Sequence, residues 1–315
     1  MTRSPIAYIV FNRPKLTSLS FDIIRAQQPP KLFIIADGPR NAHSEDLKNC
    51  KAVRDILKKI DWPCEVYRNY SEYNLGLKQR VSSGLNWVFN HVDRAIILED
   101  DCIAHPDFFK FCETLLNLYY EDIRVSAITG NNFQDGKWRG DASYYFSKYP
   151  HCWGWATWKR AWQQYKGNIP FWSEWSKSDA WLKHATDKIE RNNWEQIFKM
   201  VQEEKIDSWA YPWTASVWYK NGLTATPNIN LVSNIGFGAN SAHTKDKNSK
   251  SANMPTKELG TLKHPKIIQI NLEADRYTFD NHYNGKYSRY PYNLIYFPIR
   301  SMKYFYRKIT NIYKK

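Results

Sequence analysis

The chain has 315 residues, 43% of them apolar, which is enough for one large α/β domain or two modest ones and excludes a disordered chain. Its charge of +14 comes from 45 Lys and Arg against 31 Asp and Glu. Eight of those basic residues and no acidic one fall within 282–315, so the excess marks a tail and, with no RNA-binding motif alongside, excludes a nucleic-acid surface.

Residues 6–11 (IAYIVF) form a continuous apolar run that predicts a buried strand, and the stretch after Pro14 predicts a helix through Arg25. A second run, 32–36 (LFIIA), closes on the turn signature Asp37-Gly38-Pro39. A helix over 45–59, a strand over 64–67, a helix over 77–92 and the strong strand 95–98 (AIIL) follow. Continuous apolar strands alternating with helices indicate a mainly parallel, doubly wound α/β sheet covered on both faces. In such sheets ligands bind beyond the carboxyl ends of the strands. The residues there are Asn12 and Arg13, then Asp37 and Gly38, then Glu99, Asp100 and Asp101.

From 138 to 218 the sequence is rich in tryptophan: Trp153, Trp155 and Trp158 stand within six positions, and seven more follow from Trp172 to Trp218. Packing explains any single one of them, since large aromatics dominate cores. As a group they also suit an aromatic floor under a sugar, whose C–H faces stack on indole. Residues 240–259 read as a loop by composition. The last segment, 292–315, mixes Tyr and Phe with Lys and Arg and fits either an interfacial helix on anionic lipid or a surface helix.

Three consecutive carboxylates after a buried strand repel one another unless a cation neutralises them. Mg²⁺ or Mn²⁺ does so, commonly with one or two carboxylates and the phosphates of a substrate. The alternative is the acidic first turn of a helix, with Pro106 early in a helix containing Phe108.

At this point a family resemblance is visible. The blocks 5–14 (PIAYIVFNRP), 35–38 (IADG), 74–85 (NLGLKQRVSSGL) and 96–101 (IILEDD) resemble the nucleotide-binding half of family 2 glycosyltransferases, which adopt the GT-A fold. The EDD form of the metal motif is similar to that of N-acetylglucosaminyltransferases. Blocks 152–162 (CWGWATWKRAW), 207–213 (DSWAYPW) and 234–243 (NIGFGANSAH) resemble bacterial glycosyltransferase-like proteins of surface-polysaccharide clusters, some described as hemolysin-related. The blocks span about 240 residues in the expected order. The triplet departs from the family's DxD spelling.

The resemblance implies a nucleotide-sugar-binding half over 1–135, an acceptor-binding and catalytic half of the same GT-A domain over 136–280, and a basic aromatic tail over 281–315. It implies a metal-dependent, inverting transfer from a nucleoside-diphosphate sugar to a glycan or lipid-linked glycan. Asn12, Arg13 and Asp37 would hold the nucleoside, and Asp101, with His243, the Mn²⁺ or Mg²⁺. Asp100 would reach the ribose or a metal-bound water beside Glu99, and Lys78 and Arg80 would face the diphosphate near a helix start. Asp207 would be the base, with Glu174 and Asp179 as second choices, and helix capping is its alternative. Trp153, Trp155 and Trp209 would receive the acceptor.

Five cysteines without a CxxC pair are expected to be reduced thiols. The first strand is too short for a signal-peptide core, and no run approaches the roughly 18 apolar residues of a membrane span. A cytoplasmic protein is therefore expected, touching the inner face of the cytoplasmic membrane at most peripherally through its tail. Two other readings remain: a nucleotidyltransferase making sugar nucleotides, although no glycine-rich signature follows strand one, and a non-catalytic carbohydrate binder. A dehydrogenase or methyltransferase would need GxGxxG there, and it is absent.

Overall fold

The computed structural model describes residues 2–238 and 246–295. The first half alternates strands and helices: β1 (Ile6–Val10), α1 (Pro14–Gln27), β2 (Lys31–Ala36), α2 (Ser44–Ile56), β3 (Glu65–Tyr70), α3 (Leu77–Phe89) and β4 (Arg94–Glu99). Then come β5 (Cys102–Ala104), α4 (Pro106–Leu118), β6 (Val125–Thr129), β7 (Tyr144–Ser147) and β8 (Trp155–Trp158). The remainder holds α5 (Lys159–Trp162), α6 (Trp172–Trp175), α7 (Asp179–His184), α8 (Lys188–Gln202), α9 (Ala210–Tyr219), β9 (Leu223–Pro227), β10 (Val232–Asn234) and α10 (Leu272–Asn281).

Eight strands form one sheet in the order β3-β2-β1-β4-β8-β6-β9-β7. Neighbours from β3 to β4 run parallel, as do β6 and β9; β8 is antiparallel to both β4 and β6, and β7 to β9. The result is a mixed α/β architecture with a mostly parallel central sheet flanked by helices, consistent with a GT-A or Rossmann-like fold. Alternate residues of β1 explain the two layers. Ile6, Tyr8 and Val10 face a core with Phe21 and Ile24 of α1, Val53 of α2 and Phe108 of α4, while Ala7 and Ile9 face α3 and the tryptophan-rich helices.

One local outcome differs from expectation, and another removes an alternative. The stretch after Asp207 was legible only as strand or loop, and it is the helix α9. Pro212 sits in its first turn, where a missing N–H costs nothing, and residues 212–218 are all buried, so the helix has no polar face to reveal its period. The acid triplet is not the first turn of a helix, because β5 intervenes before α4 starts at Pro106.

Two antiparallel pairings position the site. In β8 the register Ile97↔Trp155 puts residues 151–154 beside the carboxyl end of β4. In the small second sheet β10 pairs with β5, Asn234 opposite Cys102, which carries residues 234–236 over Asp101. The two halves expected from the sequence thus interleave in one sheet.

Candidate active site at the strand ends

Helix α1 begins at Pro14, whose fixed φ suits a first helical position, and so holds Arg13 at the end of β1. The Arg13 side chain turns back onto the triplet. Its Nε lies 3.3 Å from Asp100 Oδ2, its Nη2 bonds Asp100 Oδ1, and its Nη1 lies 3.0 Å from Asp101 Oδ2. Burial raises the pKa of Glu99 and Asp100, with the charge of Asp101 adding to the rise and Arg13 opposing it. Arg13, despite a desolvation that works the other way, is held above its ordinary value by Asp100 and Asp101.

Asp101 is fixed from the far side by the second half of the chain. Its Oδ1 accepts from Asn234 Nδ2 at 3.4 Å, and its backbone carbonyl accepts the Ile235 N–H at 2.9 Å. A Cβ on Gly236 would fall on Asp101 Oδ2, so only glycine permits this approach. The Cys152 thiol is pushed up by burial first and then by Glu99 and Asp101, which places it within electrostatic range of the acids.

Asp37 anchors a second buried polar cluster, at the end of β2. Its Oδ1 accepts the Gly38 and Leu75 N–H groups, each at 2.9 Å, and its Oδ2 accepts Asn74 Nδ2 at 2.9 Å. Burial raises its pKa against these bonds. Gly38 is required here, since a Cβ would meet the Tyr73 backbone at 2.5 Å. Asn12 lies apart from the triplet and donates to Asp46 at 2.6 Å. Hydrogen bonds from Arg40 hold the Asp46 carboxyl well below the usual range.

The basic pair near α3 separates. Lys78 reaches Asn168 Oδ1 at 2.9 Å from the rim. Arg80 does not face a ligand: it is buried, donating to the Asn69 carbonyl at 2.7 Å and to its Oδ1 at 2.9 Å beneath the Asp37 loop. Burial lowers the Arg80 pKa, with Asp37 opposing. A diphosphate contact is thus corrected to a supporting role, because this position of α3 points into the sheet.

Asp207 accepts the Leu77 N–H at 3.2 Å and the Lys78 N–H at 2.9 Å, and so caps α3 across 130 residues of sequence. Glu174 and Asp179 are exposed on α6 and α7. His243 lies outside the described residues, as does the tail beyond 295.

Of the three tryptophans expected at an acceptor, Trp153 alone keeps part of its surface. Its ring meets Phe133 and Phe237 edge-on, each at 5.5 Å, and its backbone N–H donates to Asn131 Oδ1 at 3.1 Å. Trp155 and Trp209 are 1% and 2% exposed and stack on each other at 5.4 Å. They are core, because inward-facing β8 positions and the start of α9 close the sheet against the helices. Sequence reasoning assigned no role to Asn74, Asn234, Gly236 or Cys152. The glycines and asparagines inside the 74–85 and 234–243 blocks were the available signal.

The donor set suits a hard divalent cation. The triplet offers adjacent carboxylate oxygens, burial raises the pKa of Glu99 and Asp100, and the one guanidinium on it pairs with Asp100 and Asp101 only. Among the described residues no group of three His, Cys, Asp or Glu side chains is placed to hold a metal ion by itself. A groove lined by Arg3, Lys31, Asp93, Arg94 and Tyr120 lies at the amino ends of the strands, the edge opposite Asp37 and the triplet. All five cysteines are free, and no helix among the described residues is long and apolar enough to cross a membrane.

No family model matches the chain, and no curated protein matches it in sequence. Solved structures similar to it include a 4-diphosphocytidyl-2C-methyl-D-erythritol synthase from Anaerococcus prevotii, 11% identical, covering 56% of this chain and 78% of that one with a TM-score of 0.32. They also include mouse xyloside xylosyltransferase 1, 8% identical, covering 67% of this chain and 80% of that one with a TM-score of 0.34. The fold assignment rests on the strand order described above.

Proposed function

We propose that the chain is a metal-dependent, inverting glycosyltransferase that moves a sugar from a nucleoside-diphosphate sugar to a hydroxyl of a glycan or lipid-linked glycan in surface-polysaccharide synthesis. The observation that carries the reading is the coincidence of two desolvated acid sites, Asp37 and the Glu99–Asp101 triplet, at neighbouring strand ends.

Asp37, made rigid by its loop, accepts a hydrogen bond from the base or ribose. Asp101 would hold Mn²⁺ or Mg²⁺, with His243 a proposed further ligand, and Asp100 would reach the ribose or a metal-bound water. When bound, that ion supplies the Lewis acidity that stabilises charge developing on the leaving diphosphate. Lys78, at the amino end of α3, adds positive potential on the diphosphate side. Trp153 orients the acceptor through its open face, and its Phe133 and Phe237 neighbours keep water from that side. Asp207 is the proposed base. The exposed Tyr290, Tyr292, Leu294 and Ile295 lead into the basic tail and fit peripheral contact with an anionic membrane.

The nucleotidyltransferase alternative needs a glycine-rich triphosphate loop after β1. Here the turn is Asn12-Arg13-Pro14, which contains no glycine. A screen of nucleotide sugars for Mn²⁺-dependent hydrolysis or transfer, with Asp101→Ala as control, tests the proposal; no turnover of any donor would sink it. Asp207→Asn removes the basic carboxylate but keeps one of its two cap bonds, since the amide oxygen can still accept the Lys78 N–H while the amide nitrogen cannot accept from Leu77. Retained donor binding with lost transfer supports the base, and retained transfer removes it.

A further inference from the structure

We infer that Arg13 is the resident counter-cation of the acid triplet, and that it passes from the carboxylates to the donor's diphosphate when the divalent ion enters, so that ion and donor bind as a pair. The inference rests on the proposed function for its second half only.

The geometry supplies the first half. The Arg13 backbone is tied down at both ends: Pro14 restricts the residue before it, and the Arg13 carbonyl accepts both the Thr17 N–H and the Thr17 hydroxyl at 2.9 Å. Only its side chain is left to move. That side chain is 24% exposed, whereas the Asp100 side chain beneath it is 2% exposed, so the guanidinium covers the acids from the solvent side. Its Nη2 and Nε take both oxygens of Asp100, and its Nη1 takes the Oδ2 of Asp101. A cation approaching these oxygens from solvent meets a position already held by like charge.

Chemistry supplies the second half. A guanidinium fork matches a carboxylate and a phosphate equally well. A divalent ion would repel Arg13 from the carboxylates, and a diphosphate arriving with that ion offers the displaced fork a second anion within reach of the same fixed backbone. Without the nucleotide, Arg13 would have to be expelled into water. The ion alone should therefore bind weakly and the pair strongly, which is coupling in the thermodynamic sense.

The test is Mn²⁺ binding followed by the electron-spin-resonance signal of the free ion, with and without UDP, GDP, CDP or dTDP, on the full chain. In wild type, the nucleoside diphosphate is expected to tighten Mn²⁺ binding about tenfold or more. Arg13→Gln is expected to bind Mn²⁺ alone about tenfold more tightly than wild type and to lose most of the nucleotide effect. Arg13→Lys, which keeps a cation without the fork, should resemble wild type with Mn²⁺ alone yet show weakened coupling; it serves if the glutamine variant fails to fold. Unchanged Mn²⁺ affinity and unchanged coupling in these variants would overturn the inference. Mn²⁺ affinity gained by Arg13→Gln, with no nucleotide bound by either protein, would uphold the counter-cation and overturn the transferase reading, so the two fail separately.

Discussion

The two halves of the chain each bury charge, and they do so in opposite ways. In the tryptophan-rich half the charges close on one another. Lys148 Nζ lies 2.8 Å from Glu190, Tyr149 bonds the same carboxyl, and Asp275 accepts Ser147 Oγ at 2.5 Å and the Lys148 N–H at 3.1 Å. At the strand ends of the first half, Asp100 and Asp101 share the guanidinium of Arg13 beside Glu99, and that side chain, itself partly exposed, lies between them and solvent. A closed network holds β7, α8 and α10 together and asks for no ligand. An open one leaves negative charge for a cation to meet.

The largest way to test that contrast is to remove the open charge. Asp101→Ala is expected to lower Mn²⁺-dependent transfer by roughly 10³-fold while the urea midpoint barely moves, because the acid is there for a ligand. Turnover of the donor found in the screen, read beside chemical denaturation, checks both halves. Trp155→Ala should do the reverse. Truncating a fully buried indole is expected to cost roughly 3–5 kcal/mol in urea unfolding, and nucleotide affinity of the folded protein should stay as it was. A loss of acceptor affinity without a loss of stability would return Trp155 to the acceptor site.

Gly236→Ala probes the seam between the halves. The new methyl must push Asp101 aside, and a weakening of Mn²⁺-dependent nucleotide binding by roughly 10- to 100-fold is expected, by analogy with disturbed supports of metal ligands. An unchanged affinity in calorimetry would show that Asp101 does not carry the ion.

The smallest effect concerns pH. Burial lowers His184 to about 3 and His282 to about 4, each from an ordinary value near 6.5. The unfolded chain then binds more protons than the folded one between those limits, so these histidines make stability fall as pH drops from about 6.5 towards 4. Asp275 acts with the opposite sign, since burial lifts it to about 7 and favours the folded state on acidification. His184→Phe isolates one term. Its melting temperature should gain on wild type as pH falls through that window, and a constant difference would refute the assignment.

The first half was legible because its strands carry their own signal. β1, β2 and β4 are continuous apolar runs closed by turn or acidic residues, so both the elements and the placement of Asp37 and Glu99–Asp101 at one edge followed from local pattern. The second half was not, since α9 is buried on every side and β8 reads as a string of tryptophans with no period. Burial of Arg80 was equally hidden, because a charged residue on an amphipathic helix ordinarily faces water.

By itself, then, the sequence determined the α/β class, the acid-bearing edge of the sheet and the basic character of the tail, all properties of residues close together in the chain. Tertiary structure alone decided that Arg13 lies on Asp100 and Asp101, that Asn234 and Gly236 close over Asp101, that Asp207 caps α3, and that Trp155 and Trp209 are core while Trp153 stays partly open. Each depends on pairings between distant segments, β8 against β4 and β10 against β5, whose register no local pattern encodes.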